Sequence, residues 1–143
     1  MKIIALKGND NSGKSETLNI VYQLMLFSSY TQALPGPKHF GVLGNPVNRD
    51  FMDILVKDDR RIGFATMGDF ATKKDACVAD LLAYLLSQGC DTAICACNTR
   101  LLGTIKAVEA YPNHQFIDKG VTLTESEERI KNGQDARQIF NMV

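Results

Sequence analysis

The chain lacks any apolar run approaching the roughly 20 residues that a helix needs to cross a bilayer, so neither a membrane span nor a membrane partner is expected. The opening stretch Met1-Lys2-Ile3-Ile4-Ala5-Leu6-Lys7 is too short for a secretory leader and has no cleavage-site pattern, which makes a cytoplasmic location the expectation. Net charge is missing too: 16 basic residues balance 16 acidic ones. Bulk charge therefore gives no case for nucleic acid or an anionic surface as partner, although a local basic patch is not excluded. Zinc spacing is absent. The four cysteines, Cys77, Cys90, Cys95 and Cys97, include no CxxC pair, and His39 and His114 are far apart in sequence. Cys95 and Cys97 lie in an apolar run and read as small buried hydrophobes, with a redox or metal role as the alternative. No internal repeat or low-complexity tract breaks the chain.

What is present fits one domain with one core: 143 residues, 45% of them apolar. Residues 2–7 read as a short buried strand, and residues 14–28 as a helix with Leu18, Val21, Leu24 and Met25 on one face. Residues 29–50 carry Pro35, Pro37 and Pro46 with Gly36, Gly41 and Gly44 and show no period. They read as a long loop, with a short strand near 40–43; loops of this length are usually functional or mobile. Residues 52–57 and 61–67 read as a hairpin across Asp58-Asp59-Arg60. Helices are expected over 73–88, ending at Gly89, and over 104–111, stopped by Pro112; strands over 92–97 and 115–118. Thr124 and Glu127 have capping-box spacing for a C-terminal helix, which Asn132-Gly133 is placed to break. Strands alternating with helices imply an α/β fold, a mainly parallel sheet with helices on both faces, and the hairpin adds one antiparallel strand at an edge.

One segment carries chemistry. Gly8-Asn9-Asp10-Asn11-Ser12-Gly13-Lys14-Ser15 fits G-x-x-x-x-G-K-[ST] at every specified position. Glycines let such a loop approach an anion closely, backbone N–H groups can turn inward as a nest, and the following helix aims its positive dipole end at the same spot. Lys14 supplies a charge for β- and γ-phosphates and Ser15 a hydroxyl for Mg²⁺. The apolar strand before the motif and the amphipathic helix after it are the context the motif requires.

On these residues the first 28 positions resemble the P-loop NTPase superfamily, and the wording of the loop is most similar to its small nucleotide-kinase-like members. The remainder resembles them only in its strand–helix order, and the chain lacks the Asn-Lys-x-Asp motif of the GTPases. The resemblance implies a three-layer P-loop NTPase fold over residues 1–143, with 29–50 as a loop insertion, and ATP or another NTP with Mg²⁺ as ligands. The nucleotide would lie on Gly8, Asn9, Asp10, Asn11, Ser12, Gly13, Lys14, Ser15 and Glu16. Glu16 departs from the pattern: many relatives have Ser or Thr there, against the α-phosphate, and here Thr17 comes one position later.

Three further residues are candidates. Asp69 follows a strand, so it either joins Ser15 in holding Mg²⁺ or caps the next helix. Asp10 either accepts a proton from an acceptor hydroxyl or is a turn residue. Arg100, after strand 92–97, either neutralises the transferring phosphoryl group or is a plain surface residue. Lys14, Asp69 and Arg100 form the expected catalytic set. Asp118-Lys119-Gly120 sits where small P-loop kinases often border the base. The expected function is phosphoryl transfer to a small acceptor; the alternative is a slowly hydrolysing NTPase that switches a protein partner.

Overall fold

The computed structural model describes residues 1–40 and 50–143. The elements run β1 (Lys2–Gly8), α1 (Lys14–Phe27), β2 (Thr31–Gln32), β3 (Lys38–His39), β4 (Phe51–Lys57), β5 (Arg60–Ala65), α2 (Val78–Ser87), β6 (Thr92–Asn98), α3 (Leu102–Glu109), β7 (His114–Asp118) and α4 (Glu125–Met142). The seven strands of the described residues share one mixed sheet in the order β2-β4-β5-β6-β1-β7, with β3 also on β4. The longer strands are mostly parallel: β5, β6, β1 and β7 run together, and β4 runs against them.

Alternation along β1 divides the core. Ile4 and Leu6 face α1 and α4, packing with Leu18, Val21, Met25, Ala136 and Ile139. Ile3 and Ala5 face the other way, toward Val78, Leu81, Leu82 and Leu85 of α2 and Val108 of α3. A period of two in the strand and about 3.6 in the helices is what lets both faces close. All four cysteines are free and buried, Cys95 and Cys97 within the fully buried strand β6, as their apolar run implies.

Several expectations need correction. The antiparallel strand is not an edge strand: β2 and β3 pair with the outer side of β4 at Leu55–Val56 and Phe51–Met52 respectively, satisfying backbone groups that an edge would leave open. The stretch 29–50 is thus not all loop, and the short strand expected near 40–43 falls largely outside the described residues. α2 starts at Val78 rather than near 73, because residues 73–77 form turns with Asp75 at φ 59°. Asn132-Gly133 does not break α4. That helix opens on the expected Thr124–Glu127 capping box and continues to Met142, because Asn132 is buried against the start of α1 and tertiary contact outweighs its weak propensity.

Directions of the strands decide where a site can form. β1, β5, β6 and β7 all end at one sheet edge, with Gly8 level with Asn98 and Lys7 level with Asp118. β4 runs the other way, so its first residues meet that same edge.

Candidate functional site

The loop after β1 is tightly curled. Asn11 and Gly13 have left-handed backbones, with φ of 54° and 82°. Gly13 has no room for a side chain: a Cβ there would stand 2.6 Å from Asn132 Oδ1 and 2.9 Å from Glu128 Oε1. The conformation and the neighbours both demand glycine.

Lys14 folds back along its own loop. Its Nζ donates to the carbonyls of Gly8 at 3.1 Å and Asn9 at 2.6 Å. Burial lowers its pKa, and the carboxylates of Asp69, Asp10 and Asp50 oppose that shift. One helical position on, the Ser15 hydroxyl donates to Asp50 Oδ1 at 2.6 Å. Asp50 is only 5% exposed. Thr66 Oγ1 lies 3.2 Å from the same oxygen. Burial pushes the Asp50 carboxyl above its usual range, although the Ser15 and Thr66 hydrogen bonds work against that. Beneath it Tyr22 makes edge contacts with Phe51 and Phe64, at 4.9 and 5.2 Å between ring centres, which fixes α1 against β4 and β5. Farther along β4 the Tyr22 hydroxyl donates to Asp53 Oδ2 at 2.6 Å, a second tie from α1 to β4.

Asp50 is the functional candidate that the sequence reading missed. Asp69, the expected partner of Ser15, lies exposed in the same cleft, 3.4 Å from Asn98 Nδ2. Its strand β5 is separated from β1 by β6. The other missed residue is Asn98, buried at the end of β6. Its amide donates to Asp10 Oδ1 as well as lying near Asp69, and its Oδ1 accepts from the Arg100 backbone N–H at 3.0 Å. Thr99 Oγ1 donates to Asn9 Oδ1. β6 thus pins the first half of the loop.

Arg100 itself is turned to solvent, with Nη1 4.0 Å from Asp10 Oδ2, and is not among the residues lining the cleft. Neither Asp118 nor Lys119 lines it either. Asp118 pairs with Lys7 at 3.1 Å, and Lys119 reaches Asp135 of α4 in a fully buried pair at 2.9 Å.

Helix α4 forms the opposite wall. Glu125, Glu128 and Arg129 line the cleft, and Arg129 Nη2 pairs with Glu125 Oε1 at 2.7 Å. Glu16 is exposed and faces the same space. Thr17 is turned inward: its hydroxyl donates to the Gly13 carbonyl at 2.8 Å and lies 3.2 Å from Asn132 Oδ1. With its one proton committed to Gly13, the Thr17 oxygen is free to accept. Turning the Asn132 amide over gives its Nδ2, unpartnered among the described residues, that acceptor.

The cleft measures about 790 Å³, ample for a nucleotide-sized ligand. Six of the described residues that line it are acidic (Asp10, Glu16, Asp50, Asp69, Glu125, Glu128) against the cations Lys14 and Arg129. Among the described residues no group of three His, Cys, Asp or Glu converges to hold a metal on protein ligands alone. Mg²⁺ does not need one: it keeps several waters and takes few protein ligands beside phosphate oxygens. The Ser15 hydroxyl, backed by the Asp50 carboxylate, has the donor chemistry for that arrangement.

Comparison with family models, with curated proteins and with solved structures returns no match to this chain.

Proposed function

We propose that the chain is a P-loop NTPase-like protein with a three-layer fold. It holds a nucleoside triphosphate on residues 8–16 and transfers the γ-phosphoryl group to a small acceptor. The observation that carries this reading is the Ser15–Asp50 contact of 2.6 Å, made at the first turn of α1 beside Lys14. A buried carboxylate aimed at the motif hydroxyl has no structural purpose that a neutral side chain would not serve at lower desolvation cost.

The roles follow from position. Lys14 leaves the Gly8 and Asn9 carbonyls to meet the β- and γ-phosphates, and backbone N–H groups of the loop and of the α1 N-terminus bind the remaining oxygens. Ser15 and Asp50 would hold Mg²⁺, with Asp69 as a further acid in the cleft. Bound there, Mg²⁺ would offset charge on the phosphate oxygens. Asp10 lines the cleft beside Asn98 and would serve as the proton acceptor for the acceptor hydroxyl.

The NTPase or switch reading draws on the place of that same contact in the chain. Asp50 closes the 29–50 segment, so a ligand at Ser15 acts directly on the chain that leads out of the site. A thermal-shift panel of nucleotides with Mg²⁺, followed by ADP release with and without small hydroxyl acceptors, tests both. A nucleotide at about 100 times its dissociation constant adds roughly 2.7 kcal/mol to stability. Acceptor-stimulated ADP formation supports transfer, acceptor-independent formation supports hydrolysis, and no shift with any nucleotide refutes the proposal.

A further inference from the structure

The cleft has two ends. Ser15, Asp50 and Thr66 mark the end toward β4 and β5, and α4 walls the other end, beside Gly13 and Glu16. A polyphosphate with its terminal group by Ser15 and its chain along Gly13 and Glu16 meets α4. That wall brings Glu125 and Glu128, and Glu16 faces it from α1, so three carboxylates meet the incoming anion. Thr17 offers nothing there, since its hydroxyl is spent on the Gly13 carbonyl. Arg129 is the one cation of this end of the cleft among the described lining residues.

We infer that Arg129 binds the nucleoside-proximal phosphate, exchanging its pair with Glu125 for the ligand. This rests on the nucleotide reading above and deepens it by adding a recognition residue that the sequence motif does not contain. The exchange is feasible because the present pair is weak. Both side chains are largely solvent-exposed, at 72% and 80%, and an exposed i,i+4 pair stabilises a helix little. A guanidinium presents a planar fork suited to two phosphate oxygens. The position is held firmly even though the side chain is free. Asn132, one turn along α4, is buried against Thr17, and Asp135 anchors the same helix to the buried Lys119. Glu125 acts as a competitor that holds Arg129 when the cleft is empty.

The competition gives the test a sign that a merely structural role would not produce. Mg-ATP and Mg-tripolyphosphate are titrated calorimetrically into the wild type, Arg129→Ala, Arg129→Lys and Glu125→Gln, with thermal melts checking that each variant folds. Arg129→Ala should weaken both ligands by about 10-fold or more, a charge-assisted contact of ordinary strength. Arg129→Lys should recover part of that loss, and Glu125→Gln should tighten binding. Loss for ATP alone would mean that Arg129 meets the base, and equal affinities in the wild type and Arg129→Ala would mean that it meets nothing; either overturns the inference while leaving the nucleotide reading intact. A wild type that binds neither ligand removes both.

Discussion

Asp50 is held where ionisation is unfavourable. Its carboxyl is buried, and that burial raises its pKa above the ordinary 3.8. An acid with a raised folded pKa keeps its proton in the native state where the unfolded chain has already released it. Native Asp50 thus binds more protons than unfolded Asp50 above about pH 4, and its contribution to stability falls as pH rises through the folded pKa. Asp50→Asn retains an oxygen for Ser15 and Thr66 and removes the charge. Ligand-free Asp50→Asn is expected to melt above the wild type at pH 7, because the amide is buried without a charge. The gap should close as pH approaches 4, and the variant should lose Mg²⁺-dependent nucleotide binding. Melts against pH, with and without Mg-ATP, check both; a variant less stable than the wild type at every pH would contradict it. Asp50 was hard to find in the sequence because it ends a stretch of prolines and glycines without a period. Only strand direction brings it to the site: once 52–57 and 61–67 are paired as a hairpin, the residue before the first strand must share an edge with the residues after the second.

Helix α4 is the element that turns the loop into a cleft. Its two glycine-related positions are opposites. A side chain at Gly13, where φ is 82°, would collide with Asn132 and Glu128 of α4, whereas a Cβ at Gly133, in the middle of α4, would meet no atom of the described residues within 4 Å. Gly13→Ala should therefore destabilise by about 1–3 kcal/mol through strain and collision. Gly133→Ala should stabilise by about 0.5–1 kcal/mol through helix propensity alone. Urea denaturation of the two variants gives the signs; a Gly13→Ala variant as stable as the wild type would contradict the loop described, and a destabilised Gly133→Ala would contradict the open face of α4 at that position. The capping box of α4 was legible at Thr124 and Glu127, since it is local. Its continuation past Asn132-Gly133 was not, because the contact that sustains it joins residues 115 apart in sequence. Periodicity tells which face of a helix is buried but not what it is buried on.

At the scale of the whole molecule, the sheet collects the ends of β1, β3, β5, β6 and β7 and the start of β4 at a single edge, and every residue of the candidate site lies on a segment leaving or reaching that edge or on α4 above it. The layering on both faces followed from the alternation of strands and helices. The order of the strands did not: β6 lies between β1 and β5, and this is why Asn98, rather than Asp69, braces the loop directly. β2 and β3 were lost in the proline-rich stretch because two-residue strands carry no period of their own. All these features converge on Lys14, whose ammonium is kept by the carbonyls of Gly8 and Asn9 and has three carboxylates in its field. Calorimetric titration of Mg-ATP into the wild type and Lys14→Ala is the most direct measurement. Saturable binding to the wild type, weakened roughly 100-fold in a folded Lys14→Ala through loss of its charge-assisted phosphate contacts, is the expected result. Equal affinity in the two proteins, or no binding to the wild type, would contradict a nucleotide site on residues 8–16.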